Sequence, residues 1–269
     1  MKDTEKLELF ANCPVWKAVI KLAVPTVIGQ IILVVYNMAD TFFIGLTGSD
    51  AMITAVTVCM PAFMFLSAIS NLFGVGGASV IARALGAGDN DRAQNTAAFA
   101  FWGCVSVTLL YSVAAYLFED MFMNLLGGSD PEVHAAAIQY LRVTVIIGGL
   151  GTSLNALLAH LVRSVGYAAQ ASIGVAMGGV LNIALDPLLI FGYLGLPEMG
   201  IRGAAIATVA GQAVAALFVF RGGFRRIPGK EVYLHHIAKI FQVGIPNILM
   251  QSAYTFYIFG LNLILSGFS

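Results

Sequence analysis

Seven stretches of this chain are each apolar over about 20 residues or more, and this feature constrains its fold more than any other. Hydrocarbon offers no water to a backbone amide, so a stretch that crosses a bilayer must satisfy its own hydrogen bonds as a helix. The runs are Trp16–Leu46, Ala51–Leu85, Ala93–Leu117, Val133–Val162, Ala169–Leu194, Ile201–Phe220 and Ile237–Phe268. They dominate a composition that is 59% hydrophobic and 10% charged, with a mean hydropathy of +0.86, far from that of a soluble globular domain. The expected fold is an all-α polytopic membrane protein. Pro61 should bend the long second run.

The basic residues are segregated between the run ends. Lys2, Lys6, Lys17, Lys21, Arg83, Arg92, Arg163, Arg221, Arg225, Arg226, Lys230 and Lys239 fall on one side, and only Arg142 and Arg202 on the other. By the positive-inside rule the first set faces the cytoplasm, which places the amino terminus there; the expected location is the plasma membrane, as a multi-pass protein. The acidic connection around Glu119, Asp120, Asp130 and Glu132 then lies outside. The first fifteen residues lack the short apolar core of a cleaved signal, so the first run is expected to remain. The formal net charge is zero, but the signs are segregated along the chain, so partners are inferred from the loops and not from the total, and no nucleic-acid partner is expected.

The longest polar connection, Arg221 to His236, separates six runs from a seventh that repeats the opening of the first. Pro25-x4-Gln30-x5-Tyr36 recurs as Pro246-x4-Gln251-x5-Tyr257, and both copies start from the same side, which makes the repeat parallel. Residues 1–15 are expected to be a cytoplasmic segment and 16–220 a six-helix transmembrane lobe. Residues 221–236 then form a cytoplasmic inter-lobe linker, and 237–269 the first helix of a truncated second lobe.

Two carboxylates lie deep in the runs. A membrane Asp costs roughly 2.5 to 3.5 kcal/mol near a helix centre, so one that is present usually faces a polar interior. Asp40 stands in the second half of the first run with Tyr36 and Asn37 about a turn before it. Asp186 has Asn182 a turn before it and Pro187 directly after. Pro187 should remove an amide and turn Asp186 away from helical geometry, opening the helix as transporters do at ion sites. At about 1.5 Å per residue, Asp40 lies about 28 Å beyond Lys21 and Asp186 about 26 Å beyond Ala169, a shared depth in the outer half. Tyr140 in the fourth run and Thr208 in the sixth either add hydroxyls to a common pocket or cap their own helices. Two carboxylates that close are expected to share a proton or a Na⁺ ion. Glycine-rich stretches such as Gly74, Gly76 and Gly77 lack the strand and soluble helix of a nucleotide loop and are read as close helix packing. His134, His160, His235 and His236 lack metal spacing and Cys13, Cys59 and Cys104 lack paired spacing, so neither set is given a role.

LAVP and YNMADTFFIG (Leu22 to Gly45), ARALGAGDNDRA (Ala82 to Ala93), NIALDP (Asn182 to Pro187) and GIRGAAIAT (Gly200 to Thr208) resemble the multidrug and toxic compound extrusion (MATE) family. The resemblance implies the amino-terminal lobe, about half of a typical member, of the DinF-like branch. It implies a cation-coupled (H⁺ or Na⁺) antiporter that exports amphipathic organic cations, and neither enzyme activity nor a cofactor beyond the coupling ion. Partners would be amphipathic drugs or toxic compounds, the lipid bilayer and a carboxy-terminal lobe. The resemblance also implies that Asp40, Asp186, Asn182, Tyr140 and Thr208 hold the coupling ion and that Pro25 is the bending point of the first helix. Tyr36 and Asn37 are the candidates for the substrate cavity.

Two alternatives stay open. A flippase for lipid-linked oligosaccharide or lipid should line its cavity with cations, and only Arg142 lies near the interior of a run. A half-protein could fold without transporting. An intramembrane aspartyl protease reading of Gly86-x-Gly88-Asp89 fails, because Asp89 sits in a basic loop away from any membrane carboxylate.

Overall fold

A computed structural model describes residues 14–125, 130–220, 238–250 and 253, which are helical apart from short connections and contain no strand. The helices are α1 (Val15–Leu46), α2 (Asp50–Gly86), α3 (Asn90–Leu117), α4 (Glu119–Leu125), α5 (Pro131–Leu141), α6 (Gly149–Ser164), α7 (Ala168–Ile190) and α8 (Ile201–Val219). Residues 238–250 form α9. Five of the helices, α1, α2, α3, α7 and α8, are long and apolar enough to cross a membrane. The bent pair made by α5 and α6, counted as one, brings the number of spans to six.

Short polar connections both stop and start these helices. Ser49 Oγ accepts the amide of Met52 at 3.3 Å ahead of α2, and Asp89 Oδ1 accepts that of Arg92 at 3.0 Å ahead of α3. Asp130 Oδ1 takes the amides of Glu132 and Val133 while Pro131 opens α5. Each cap satisfies donors that a helix start leaves unmet.

Contacts across the bundle fix its topology. Gly29 and Tyr36 of α1 meet Ser172 and Gly179 of α7, so these two run parallel. Gly174, Gly178 and Asn182 of α7 meet Val219, Gly211 and Thr208 of α8, so these run antiparallel. Phe73 and Gly77 of α2 lie against Gly103 and Ala100 of α3, again antiparallel, while Asn71 of α2 meets His160 of the parallel α6. The result is an up-and-down bundle with Lys17, Lys21, Arg83, Arg92 and Arg163 at one end. Glu119, Asp120, Asp130 and Glu132 are at the other. These are called the basic and acidic ends below.

The core has two main parts. Phe73, Phe99, Phe101, Leu157 and Leu161 fill the space between α2, α3 and α6, and Leu66, Tyr140, Leu141 and Val145 fill that between α2 and the fourth span. α9 joins the first part: Ile240 is fully buried, and Phe241 stands edge-on to Phe73 with ring centres 6.1 Å apart. A Cβ on Gly76 would fall 2.4 Å from the carbonyl oxygen of Ile240, and one on Gly244 2.5 Å from that of Leu72. Here the two backbones touch.

Several expectations need correction. The acidic connection contains a short helix, α4, whose Glu119 is buried against the bundle. The fourth run is not one straight helix: Arg142–Ile147 is a π-helical segment, and the axis turns by 51° before α6. Gly148 permits the turn, since a Cβ there would lie 2.2 Å from Val209 of α8. The fifth run ends at Ile190 and not at Leu194, because Gly192 turns left-handed at φ 71°. α7 also stays helical through Asp186 and Pro187, so the expected opened turn is absent and the proline only withholds its own amide. The segment 221–236 lies outside the described residues, as do Gln251 and Tyr257 of the repeat.

Candidate functional site

The site starts from the crossing of α7 and α8. A Cβ on Gly178 would lie 2.5 Å from the carbonyl oxygen of Gly211, and one on Gly211 2.5 Å from that of Gly178. Glycine therefore lets the two backbones come into contact, as small residues do in membrane helix pairs. One turn further toward the acidic end, the polar side chains meet. Asn182 Nδ2 donates to Asp186 Oδ1 at 3.2 Å and to Thr208 Oγ1 at 3.4 Å. Thr208 passes its own hydroxyl hydrogen to the carbonyl of Ala204 at 3.0 Å, which leaves its oxygen lone pair for Asn182. Asp186 is fully buried and Asn182 nearly so.

α1 brings the second carboxylate. The pairing of Gly29 with Ser172 and of Tyr36 with Gly179 keeps one offset, and carrying it on sets Asp40 beside Ile183. That position is about 4 to 5 Å along the axis from Asp186. Asp40, Asp186, Tyr36 and the buried Tyr140 lie within electrostatic range of one another. Asn182, Asp186 and Thr208 are thus joined by hydrogen bonds, and Asp40 and Tyr140, from two further helices, stand within electrostatic range of Asp186. Asp40 Oδ1, Asp186 Oδ2 and Asn182 Oδ1 are buried without a hydrogen-bond partner. Such orphan acceptors are costly, and oxygen atoms of this kind suit a proton or a hard cation such as Na⁺.

A cavity of about 440 Å³ opens from this cluster toward the basic end. Tyr36 and Gln30 of α1 line it with Asn71 of α2, Asn155, His160 and Arg163 of α6, and Asn182, Thr208 and Gln212. Tyr36 is within hydrogen-bonding reach of Gln212, which also accepts the hydroxyl of Thr152. Asn37 is elsewhere. It is exposed in an outer groove with Val34, Met38, Thr41 and Phe42, because one residue of helix rotates it about 100° from Tyr36. Pro25 lies in another outer groove with Trp16, Ile20 and Val24, within the first third of the unbroken α1.

The cations are also redistributed. Arg142 faces outward and forms a two-pronged ion pair with Glu119 of α4, with Nε to Oε2 at 2.9 Å, so it does not reach the cavity. Arg163, assigned to a loop by its place at the end of a run, lines the cavity, and so does His160. The signal was present in the spacing: Asn155, His160 and Arg163 fall within an arc of about 140° on one helix face.

Fold and site together define a membrane helix bundle with a buried acidic cluster beside a polar cavity. Residues 25–188 match the MatE family, and the chain belongs to that family. It is 32% identical over 277 residues to the multidrug export protein MepA of Staphylococcus aureus, covering 99% of this chain and 59% of MepA. MepA of Staphylococcus saprophyticus is 31% identical over 279 residues. A crystal structure of MATE in the straight conformation superposes with a TM-score of 0.80 at 30% identity, over 92% of this chain and 56% of that one. A MOP superfamily transporter from Pyrococcus furiosus gives 0.75 at 28% identity, over 92% and 55%. The chain thus spans little more than half the length of these relatives.

Proposed function

We propose that this chain forms the amino-terminal lobe of a cation-coupled efflux antiporter for amphipathic organic cations, with its basic end in the cytoplasm. The observation that carries the reading is the pair of carboxylates from α1 and α7, with unpartnered oxygens, next to a cavity large enough for a small molecule. The similarity to MepA, a multidrug export protein, supports the same substrate class. Asn182 fixes one face of Asp186 and leaves the other open to an ion, while Asp40 arrives on a different helix. H⁺ or Na⁺ bound between them removes charge that a cationic substrate would otherwise seek, so ion and substrate compete, which is the requirement for exchange. Ion binding also removes repulsion between α1 and α7. A ligand that binds two arrangements of α1 unequally shifts the balance between them, and Pro25, which lacks an amide, is where α1 would bend.

The test is efflux and ion binding by the complete gene product in proteoliposomes. Asp40→Asn and Asp186→Asn should each reduce ion-driven efflux to background, and the double variant should lose little more. Independent, multiplicative losses would show that the two residues do not share an ion.

A further inference from the structure

The cavity is bipolar. Its acidic end is lined by Asn182 and Thr208, which bond to each other next to Asp186, and its basic end by Arg163, His160 and Asn71. Asn155 to Arg163 along α6 is about 12 Å of one wall, and Val175 to Asn182 along α7 about 10 Å of another. A membrane-end Arg ordinarily extends its stem toward headgroups. Arg163 instead turns into the cavity, its Nε is buried with no partner, and among the described residues no carboxylate pairs with it. Beside it, His160 Nε2 donates to Asn71 Oδ1 at 3.2 Å, and the ring is held against Gly74. An unmet guanidinium donor in a low-dielectric cavity is expensive unless an anionic oxygen reaches it.

We propose that the Arg163 end of the cavity binds the anionic oxygen group, carboxylate or phosphate, of an amphipathic zwitterion whose cationic end lies about 10 Å away below Asp40 and Asp186. This rests on the efflux reading and adds a substrate class to it. The guanidinium fork matches two oxygens of such a group, and Asn155, whose side-chain oxygen is also buried without a partner, accepts a donor from the body of the substrate.

The experiment uses two dyes that differ in one group. Rhodamine 110 carries a free carboxylate beside its cationic ring system, and rhodamine 123 is its methyl ester. Binding of each to the complete gene product in detergent is followed by fluorescence anisotropy. Arg163→Ala and Arg163→Gln should weaken rhodamine 110 by roughly tenfold to a hundredfold, the range of a charged hydrogen bond, and leave rhodamine 123 unchanged. Arg163→Lys should recover part of the loss. Unchanged rhodamine 123 binding also shows that the variants are folded. Competition by lysophosphatidylcholine, set against dodecyltrimethylammonium, distinguishes the sources of the anion. Displacement of rhodamine 110 that depends on Arg163 assigns phosphate headgroups to the subsite as well, and no displacement restricts it to carboxylates. Equal weakening of both dyes, or of neither, in both uncharged variants overturns the subsite while the efflux reading stands. Failure of the wild-type protein to bind either dye overturns both.

Discussion

α1 and α8 are both long and apolar enough to span a membrane, yet over their most apolar stretch 6% of α1 is buried in the bundle against 44% of α8. α8 is locked to α7 by backbone contact at Gly178 and Gly211, and Gly203 repeats the contact against the Leu189 carbonyl. α1 rests on α7 through Gly29 and Tyr36 and turns Ile31, Val34, Met38 and Phe42 outward. The acidic pair is therefore divided between a helix that is fixed and one that is only laid on. Asp186 has its geometry set by packing, whereas the position of Asp40 depends on how α1 lies.

The strongest challenge to this contrast is a matched pair of packing changes. Gly178→Leu forces a side chain into the Gly211 backbone and should cost about 3 kcal/mol or more, lowering the unfolding temperature in detergent. Ile31→Ala on the exposed face of α1 should stay within about 0.5 kcal/mol. Equal losses would mean that α1 is as tightly held as α8. Next in size is Pro25→Ala, which returns an amide to α1 and should slow transport several-fold while leaving ion binding intact. Unimpaired transport would reject bending there, and lost ion binding would place Pro25 in the structure of the site. The smallest effect belongs to the fixed side: Thr208→Val removes one acceptor from Asn182 and should weaken ion affinity by about 1 kcal/mol, a few-fold change in calorimetric titration. A loss as large as that of Asp186→Asn would make Thr208 a direct ligand.

Much of this was legible in the sequence. Hydropathy alone places the six spans, since hydrocarbon admits only helices, and the membrane cost of Asp40 and Asp186 marks them at once. What was hidden depends on contacts between helices. Gly148 resembles any small residue until Val209 is set against it, so the break in the fourth span could not be read from the chain alone. Asn37 was grouped with Tyr36 because both precede Asp40 by about a turn, and only the neighbouring α7 decides which of the two faces inward. Arg163 was counted by the side of the membrane on which it falls, a rule that gives the end of a helix and says nothing about the direction of its side chain.

The crossing of α9 over α2 has a mechanical consequence. With Gly76 against Ile240 and Gly244 against Leu72, the two backbones already touch and cannot approach further, so a change in the tilt of α9 would pivot on this crossing. From Ile240 to Met250 α9 runs about 15 Å, and a tilt of about 20° carries its far end about 5 Å. A pivot of this kind turns a small angular adjustment at one surface of the membrane into a displacement the size of a side chain near its middle.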